Sequence, residues 1–309
     1  MNTIRRFLCA SVVLSFVLCA CSPSRSPENN QSGSSNLSGA FIADALGRQY
    51  RQAEKPERIV SLNPSVTEIL FAIGAGDKVV GVTEFCNYPP EAQTLTSIGG
   101  FAGATMSVEQ IRSLRPDLVF LSADMHTRII SLLDELGIAS FAVEPRSFQD
   151  VYRTIFVIGE LTGTSAGAEI IVSEMQKAIA AVGDEIHGKA QPAVFWLLQK
   201  DPLMSVGGET FISEIISFAG GKNIFADLRE QWPLVSPEQV LLRKPDWVLS
   251  GMGMEQNDLS SLHDDPLWRQ FSAVQEGRVM SLNGDIMHRY GPRLADAVRI
   301  VAELIHTSL

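Results

Sequence analysis

Apolar positions in Ser165–His187 (SAGAEIIVSEMQKAIAAVGDEIH) recur as Ala168, Val172, Met175, Ile179, Val182 and Ile186, in steps that alternate between four and three. That period places them on one stripe of an α-helix. Gly163 is expected to close the preceding helix, the Thr164 hydroxyl to cap the new one, and Gly188 to end it in a left-handed turn. At 1.5 Å per residue the helix is roughly 34 Å long, the width of a small domain.

The segments on either side of this helix resemble each other. SVEQIRSLRPDLVFLS (Ser107–Ser122) and SPEQVLLRKPDWVLSG (Ser236–Gly251) align without a gap at Ser, Glu, Gln, an aliphatic, a basic residue, Pro-Asp and Val. In each, the Ser caps a short helix, Pro-Asp stops it, and an apolar run enters a buried strand. Such a unit, present twice and parted by a long helix, predicts two Rossmann-like α/β lobes with parallel sheets joined by one rigid strut.

The remaining pattern fills in those lobes. Ala40–Gln52 alternates around Asp-Ala-Leu-Gly and predicts a hairpin; Arg58–Leu62 and Val79–Val82 read as buried strands. Between them, Pro64 opens a helix that runs to Gly74, with Ser65 and Glu68 as its capping box. In the later half, strands are expected at Ala193–Leu198, Trp247–Ser250 and Arg278–Leu282, and helices at Glu209–Ala219 and Pro292–His306. The expected division is 40–163 for the first lobe, 164–188 for the strut and 189–309 for the second lobe. Ligands of such sheets sit beyond the carboxyl ends of the strands. The loops to inspect are therefore Asn63–Ser65, Glu84–Pro90, Gly99–Thr105, Ser122–Arg128, Gln199–Gly208, Arg229–Val235, Gly251–Gln256 and Asn283–Pro292.

Composition narrows the functions. With 309 residues, 45% hydrophobic and 19% charged, the chain is globular and long enough for two cores. A net charge of −10 without basic clusters argues against nucleic acid. Residues 1–20 read as a signal peptide: Arg5 and Arg6 precede an apolar run, Phe7–Leu18, that is short for a bilayer. It ends in Leu18-Cys19-Ala20-Cys21, which resembles a lipoprotein cleavage box and implies lipid on Cys21. Residues 21–39 are Ser/Asn/Gly/Pro-rich and read as a flexible tether. Cys86 is then the one thiol left in the mature domain, so stability must come from burial rather than an internal disulfide.

Enzyme signatures are sparse. Gly251-Met-Gly253-Met-Glu-Gln256 lacks the third glycine of a dinucleotide fingerprint, and there is no Walker loop or Gly-x-Ser-x-Gly elbow. His126, His187, His263, His288 and His306 show no tight metal spacing, and only His126 and His288 fall in expected cleft loops.

The lipobox, the tether, DALGR, RIVSLNPSVTEILFAIGAGDKVVGVT, CNYPPEA, GGF, SVEQIRSLRPDLV and QWPLVSPEQVLLRKPDWV, in this order, resemble the helical-backbone substrate-binding proteins of ABC importers. That family handles cobalamin, haem and ferric siderophores, and the likeness, from about Asp44 onward, is nearest to the cobalamin-binding members. The resemblance implies an exported, lipid-anchored, monomeric carrier rather than an enzyme, with no cofactor of its own. Its cargo would be cobalamin or another corrinoid, alternatively haem or a ferric siderophore, and its partners the permease and ATPase subunits. Glu109 and Glu238, at equivalent places of the twin units, would dock onto permease arginines. Tyr88, Phe101 and Trp232 would supply flat walls for a macrocycle. Asp285 and Arg289 would bond to groups at its rim. Cys86, Met106, His126 and His288 are types able to ligate a metal centre axially. An exported enzyme on the same fold and a lipid-anchored scaffold are the readings from other classes.

Overall fold

A computed structural model of the chain describes residues 41–51, 54–100, 105–251, 259–262 and 264–307. The expected signal peptide, Cys21, the tether, Phe101 and His263 lie outside the described residues. A hairpin of β1 (Phe41–Ala43) and β2 (Gln49–Arg51) comes first and is antiparallel. The first lobe then runs through β3 (Ile59–Ser61), α1 (Pro64–Ala72), β4 (Val79–Val82), β5 (Thr96–Ser97), α2 (Val108–Ser113), β6 (Leu118–Ser122), α3 (Thr127–Glu135), β7 (Ser140–Val143) and α4 (Phe148–Thr162). The long helix is α5 (Ser165–Glu185). After it come β8 (Ala193–Trp196), α6 (Phe211–Phe218), β9 (Lys222–Asn223), α7 (Pro237–Arg243), β10 (Trp247–Ser250), α8 (Ser272–Gln275), β11 (Val279–Ser281), α9 (Gly284–Met287) and α10 (Leu294–Thr307).

Each lobe carries a parallel sheet, in the orders β5-β4-β3-β6-β7 and β11-β10-β8-β9. In both, the chain steps to one side of a founding strand and then returns to the other. A crevice therefore opens at the carboxyl ends of β3 and β6 in one sheet and of β8 and β10 in the other.

The strands are apolar on both faces because helices cover both. Leu118 and Phe120 of β6, Val194 and Trp196 of β8, and Trp247 and Leu249 of β10 join one buried cluster together with Ala168, Val172, Met175 and Val182 of α5. The intervening residues face separate clusters: Val119 and Leu121 in the first lobe, Phe195 and Val248 in the second. The main core is thus continuous from lobe to lobe through the strut. Ile179 and Ile186, expected in the same stripe, are only partly buried against it.

The twin units repeat down to the backbone. Ser107 accepts from the Gln110 amide and Ser236 from the Gln239 amide, the latter as a full capping box. Arg115 and Lys244 both adopt left-handed φ, 46° and 48°, just before their prolines. The following aspartates serve the neighbouring strand: Asp117 Oδ2 accepts from the Glu57 and Arg58 amides before β3, and Asp246 Oδ2 from the Ala193 amide of β8. Pro-Asp therefore does more than stop a helix; it pins the founding strand of each sheet.

Two local expectations need correction. Thr164 precedes α5 but its hydroxyl makes no capping bond, because it pairs with the Thr162 hydroxyl at 2.8 Å. The α1 cap is Asn63, whose Oδ1 accepts from the Ser65 and Val66 amides, so Ser65 and Glu68 form no capping box. Glu68 is instead buried, with 3% of its surface exposed.

Where α5 crosses the end of α1 the approach is close enough to demand glycine. A Cβ on Gly167 would lie 2.2 Å from the Ile73 carbonyl oxygen, a backbone atom that cannot swing away. Gly167→Ala is expected to lower the free energy of unfolding by about 2 kcal/mol, as overpacking does. Urea unfolding of the two proteins side by side checks this; an unchanged midpoint would mean that the strut does not bear on α1.

Candidate functional site

The strand ends of the two sheets face one another across a cleft of about 740 Å³. Its first wall comes from the residues after β3 (Asn63–Ser65), Phe85 after β4, Ser122–Met125 after β6 and Glu144–Arg146 after β7. The second comes from Leu198 after β8, Thr210–Ile212 at the head of α6, Gln231 and Trp232, Gly251 after β10, and the segment from Gly284 to Tyr290.

Large apolar side chains stand on both walls. Phe85 (49% exposed) and Met125 (47%) lie on the first, and Trp232 (43%) on the second beside the mostly buried Phe211. What sets these apart from other exposed apolar residues is that they gather on facing walls of one cleft, where a bound apolar face could cover them together. Trp232 is carried there by a loop laced to the turn after β8. The Gly207 amide donates to Gln231 O, the Gly208 amide to Leu228 O and the Ser205 amide to Pro233 O. A Cβ on Gly207 would fall 1.9 Å from Glu230 O and one on Gly208 2.1 Å from Ala226 O, so both glycines are required for this approach.

The polar lining is rich in acceptors. Asp124 and Glu144 stand together on the first wall and hydrogen-bond to each other. Burial, and next the Asp124 carboxylate beside it, pushes Glu144 up to about 7. Asp285 joins them from the other wall. Against these stand Arg146 and Arg289, and Arg289 is already engaged. Its Nη2 lies 2.7 Å from Asp285 Oδ1, and its Nη1 donates to Glu68 Oε1 at 3.0 Å and to Asn87 Oδ1 at 2.8 Å.

Tyr290 closes the floor. Its hydroxyl accepts from Asn63 Nδ2, which also donates to Ser122 Oγ at 2.6 Å. Burial raises the Tyr290 phenol far above its ordinary value, so it stays neutral. His288 lines the cleft with its ring 6.0 Å from that of Trp196. Burial pushes it down to about 4, so it is neutral at neutral pH. Its Nε2 is covered, packed toward Gly251, where an added Cβ would lie 2.6 Å away.

Several expected site residues are elsewhere. Tyr88 does not line the cleft; the Arg293 guanidinium covers its ring, 4.2 Å from the centroid. Cys86 is buried behind the wall between the Thr67 and Thr83 hydroxyls, and burial raises its thiol. His126 is wholly buried, and its Nδ1 accepts from the Ser122 amide at 3.0 Å. Neither Cys86 nor His126 reaches a ligand from there, which corrects their expected axial role. Met106 is buried in the core of the first lobe. Trp232, Asp285, Arg289 and His288 do lie on the cleft, and sequence reasoning missed Phe85, Met125, Asp124, Glu144 and Tyr290. Glu109 and Glu238 are exposed in the first turns of α2 and α7. The Ser236 hydroxyl holds Glu238 below its ordinary value.

The periplasmic binding protein family model matches residues 59–286. The chain is 32% identical over 273 residues to the uncharacterized ABC transporter substrate-binding lipoprotein YvrC of Bacillus subtilis (strain 168), covering 86% of this chain and 85% of that one. Among solved structures it is similar to the periplasmic vitamin B12 binding protein BtuF of Vibrio cholerae, at 28% identity and a TM-score of 0.68, over 82% of this chain and 98% of that one. It is also similar to the periplasmic heme-binding protein RhuT of Roseiflexus sp. RS-1 in apo form, at 28% identity and a TM-score of 0.72, over 82% of this chain and 98% of that one.

The acid pair carries a pH signature. The folded chain keeps the Glu144 proton up to about pH 7, whereas the unfolded chain releases it near 4.5. Ionising Glu144 therefore lowers stability as pH rises through that window. Glu144→Gln should raise the thermal midpoint at pH 8 and give no gain at pH 4. Screening at this half-buried position keeps the gain below about 1 kcal/mol. Melting curves at the two pH values decide it, and an equal shift at both would contradict the assignment.

Proposed function

The chain belongs to the periplasmic binding protein family, and on that premise we propose that it captures cobalamin or a related corrinoid and delivers it to an ABC importer. The observation that carries the ligand reading is the chemistry of the cleft. A flat macrocycle would lie between Phe85 and Met125 on one side and Trp232 on the other, where stacked rings bury area at little entropic cost. Phe101, expected as a further aromatic, belongs to the same reading.

The rim decides between macrocycles. A corrin is fringed with primary amides, which donate N–H groups; haem and most siderophores present carboxylates or other anions. Asp124 and Asp285 offer acceptors and Glu144 shares a proton with Asp124, while of the two cleft arginines Arg289 is held by Glu68 and Asp285 and Arg146 stands on the acid-bearing wall. Such a lining suits amides better than anions. Asp285 is the rim contact we assign, and Arg289 supports it rather than meeting the ligand first. Haem is the second reading. It draws on neutral His288 as an axial donor, a role that requires the ring to turn away from Gly251.

Export and anchoring follow the same reading: cleavage before Cys21, lipid on its thiol and a tether to about residue 39. Among the described residues no helix is long and apolar enough to cross a membrane. Glu109 and Glu238, one exposed acid per lobe, dock onto cationic groups of the permease; such pairs set orientation more than affinity.

Absorbance titration of the purified chain with cyanocobalamin, dicyanocobinamide and haemin in parallel tests the ligand. Corrinoid saturation at about one per chain is expected, and Trp232→Ala should weaken it about tenfold, near 1.4 kcal/mol. Saturation by haemin alone would move the assignment to the second reading. For docking, the double variant Glu109→Lys/Glu238→Lys should abolish uptake by cells while ligand affinity in solution stays unchanged. Normal uptake would remove both acids from that role.

A further inference from the structure

Glu68 does something that neither its helix nor the ligand requires. It lies on the second turn of α1, whose first residues Pro64 and Ser65 line the cleft, and it is almost fully buried. Across the seam, Arg293 clasps it with Nε on Oε2 at 2.8 Å and Nη2 on Oε1 at 2.5 Å. Arg289 adds Nη1 on Oε1 at 3.0 Å. Both arginines belong to the segment that runs from the cleft wall into α10 of the other lobe. Around this centre the arginine-bearing segment also meets the loop after β4. Arg289 Nη2 donates to Phe85 O at 3.1 Å, Asn87 Nδ2 donates to Asp285 Oδ2 at 2.8 Å, and Tyr88 receives the Arg293 guanidinium on its face.

We propose that Glu68 is a positioning residue of the cleft: by holding Arg289 and Arg293 across the seam it sets the gap between the wall that carries Phe85 and the wall that carries Trp232. The geometry gives it that leverage. Phe85 supplies a carbonyl to Arg289, so the stacking residue of the first wall is tied to the same guanidinium that Glu68 holds. Removing Glu68 takes from Arg293 the carboxylate it clasps and leaves Arg289 only Asp285 as a counter-charge. With α5 intact, the available relief is for the lobes to part at the seam and admit water. The same cluster has a consequence for selectivity. A ligand carboxylate that drew Arg289 away would strip Glu68 of one of its two cations, so the cleft resists anionic rims. The inference rests on the cleft being the ligand site, as proposed above, but part of its test needs no ligand.

The test compares the full chain with Glu68→Gln, which keeps the size and removes the charge, and Glu68→Asp, which keeps the charge on a shorter arm. In Glu68→Gln, hydrogen exchange should rise about tenfold at residues 85–88 and 285–293, while α5, β6 and β10 keep their protection. Cyanocobalamin should dissociate about tenfold faster, with the association rate changed far less, and Glu68→Asp should recover part of both effects. Unchanged exchange at the seam, or loss of protection spread evenly over the chain, would overturn the proposal. So would an unchanged dissociation rate. If the wild-type chain binds no corrinoid, the ligand reading falls, and the exchange comparison alone decides the role of Glu68. Should Glu68→Gln fail to fold, Arg293→Gln, which leaves Arg289 on Glu68, supplies the same comparison: faster exchange at the seam supports the proposal and unchanged exchange overturns it.

Discussion

A carboxylate with 3% of its surface in water is tolerable only when cations and donors surround it, and both guanidinium groups that surround Glu68 come from the opposite lobe. That requirement shapes the molecule. The strut and the continuous apolar core join the lobes over a broad face, but apolar contact is non-directional and tolerates sliding. An ion pair clasped through several hydrogen bonds does not. Glu214, near the head of α6, adds a second directional tie by accepting from the Phe148 amide of α4 at 2.5 Å. Burial raises its carboxyl above the ordinary value. The cleft is the space these ties leave unfilled.

The lobes repeat one architecture yet meet with unlike walls. In the first, the loops after β6 and β7 bring Asp124 and Glu144 forward; in the second, Leu198, Phe211 and Trp232 dominate. Both walls carry apolar side chains, but the paired acids Asp124 and Glu144 stand on the first alone. A guest with two apolar faces and N–H donors gathered along one edge would meet these walls in a single orientation. The exposed Glu109 and Glu238 are fixed to the same two lobes, one on each.

Much of the architecture was legible because it is local. The twin Ser-x-Glu-Gln…Pro-Asp units predicted matching caps, stops and strands, and the structure repeats them to the left-handed Arg115 and Lys244. The stripe Ala168, Val172, Met175 and Val182 is buried in α5, and Gly163 and Gly188 both adopt φ of 78° at its flanks. What was illegible depends on partners distant in sequence. Ser65 and Glu68 have the spacing of a capping box, and nothing nearby reveals that Asn63 takes the cap. Nor does anything nearby show that arginines 221 and 225 residues downstream claim the glutamate. Tyr88 escaped for the same reason: an aromatic in a cleft loop meets ligand only if no guanidinium reaches it first.

These departures share a direction. Tyr88 and Arg289, which the sequence assigns to the ligand, are engaged in holding one lobe to the other, while the unassigned Phe85, Met125, Asp124 and Glu144 stand open to the cleft. Charged and aromatic side chains in strand-end loops serve two needs at once, since the loops that frame a ligand are also those that meet across the seam. Composition cannot separate the two, but burial can. A group whose hydrogen-bonding capacity is already used inside the protein has little left for a guest, as Arg289 shows at 9% exposure. The chemistry open to a guest is shaped as much by which cations the fold has already consumed as by which side chains line the space.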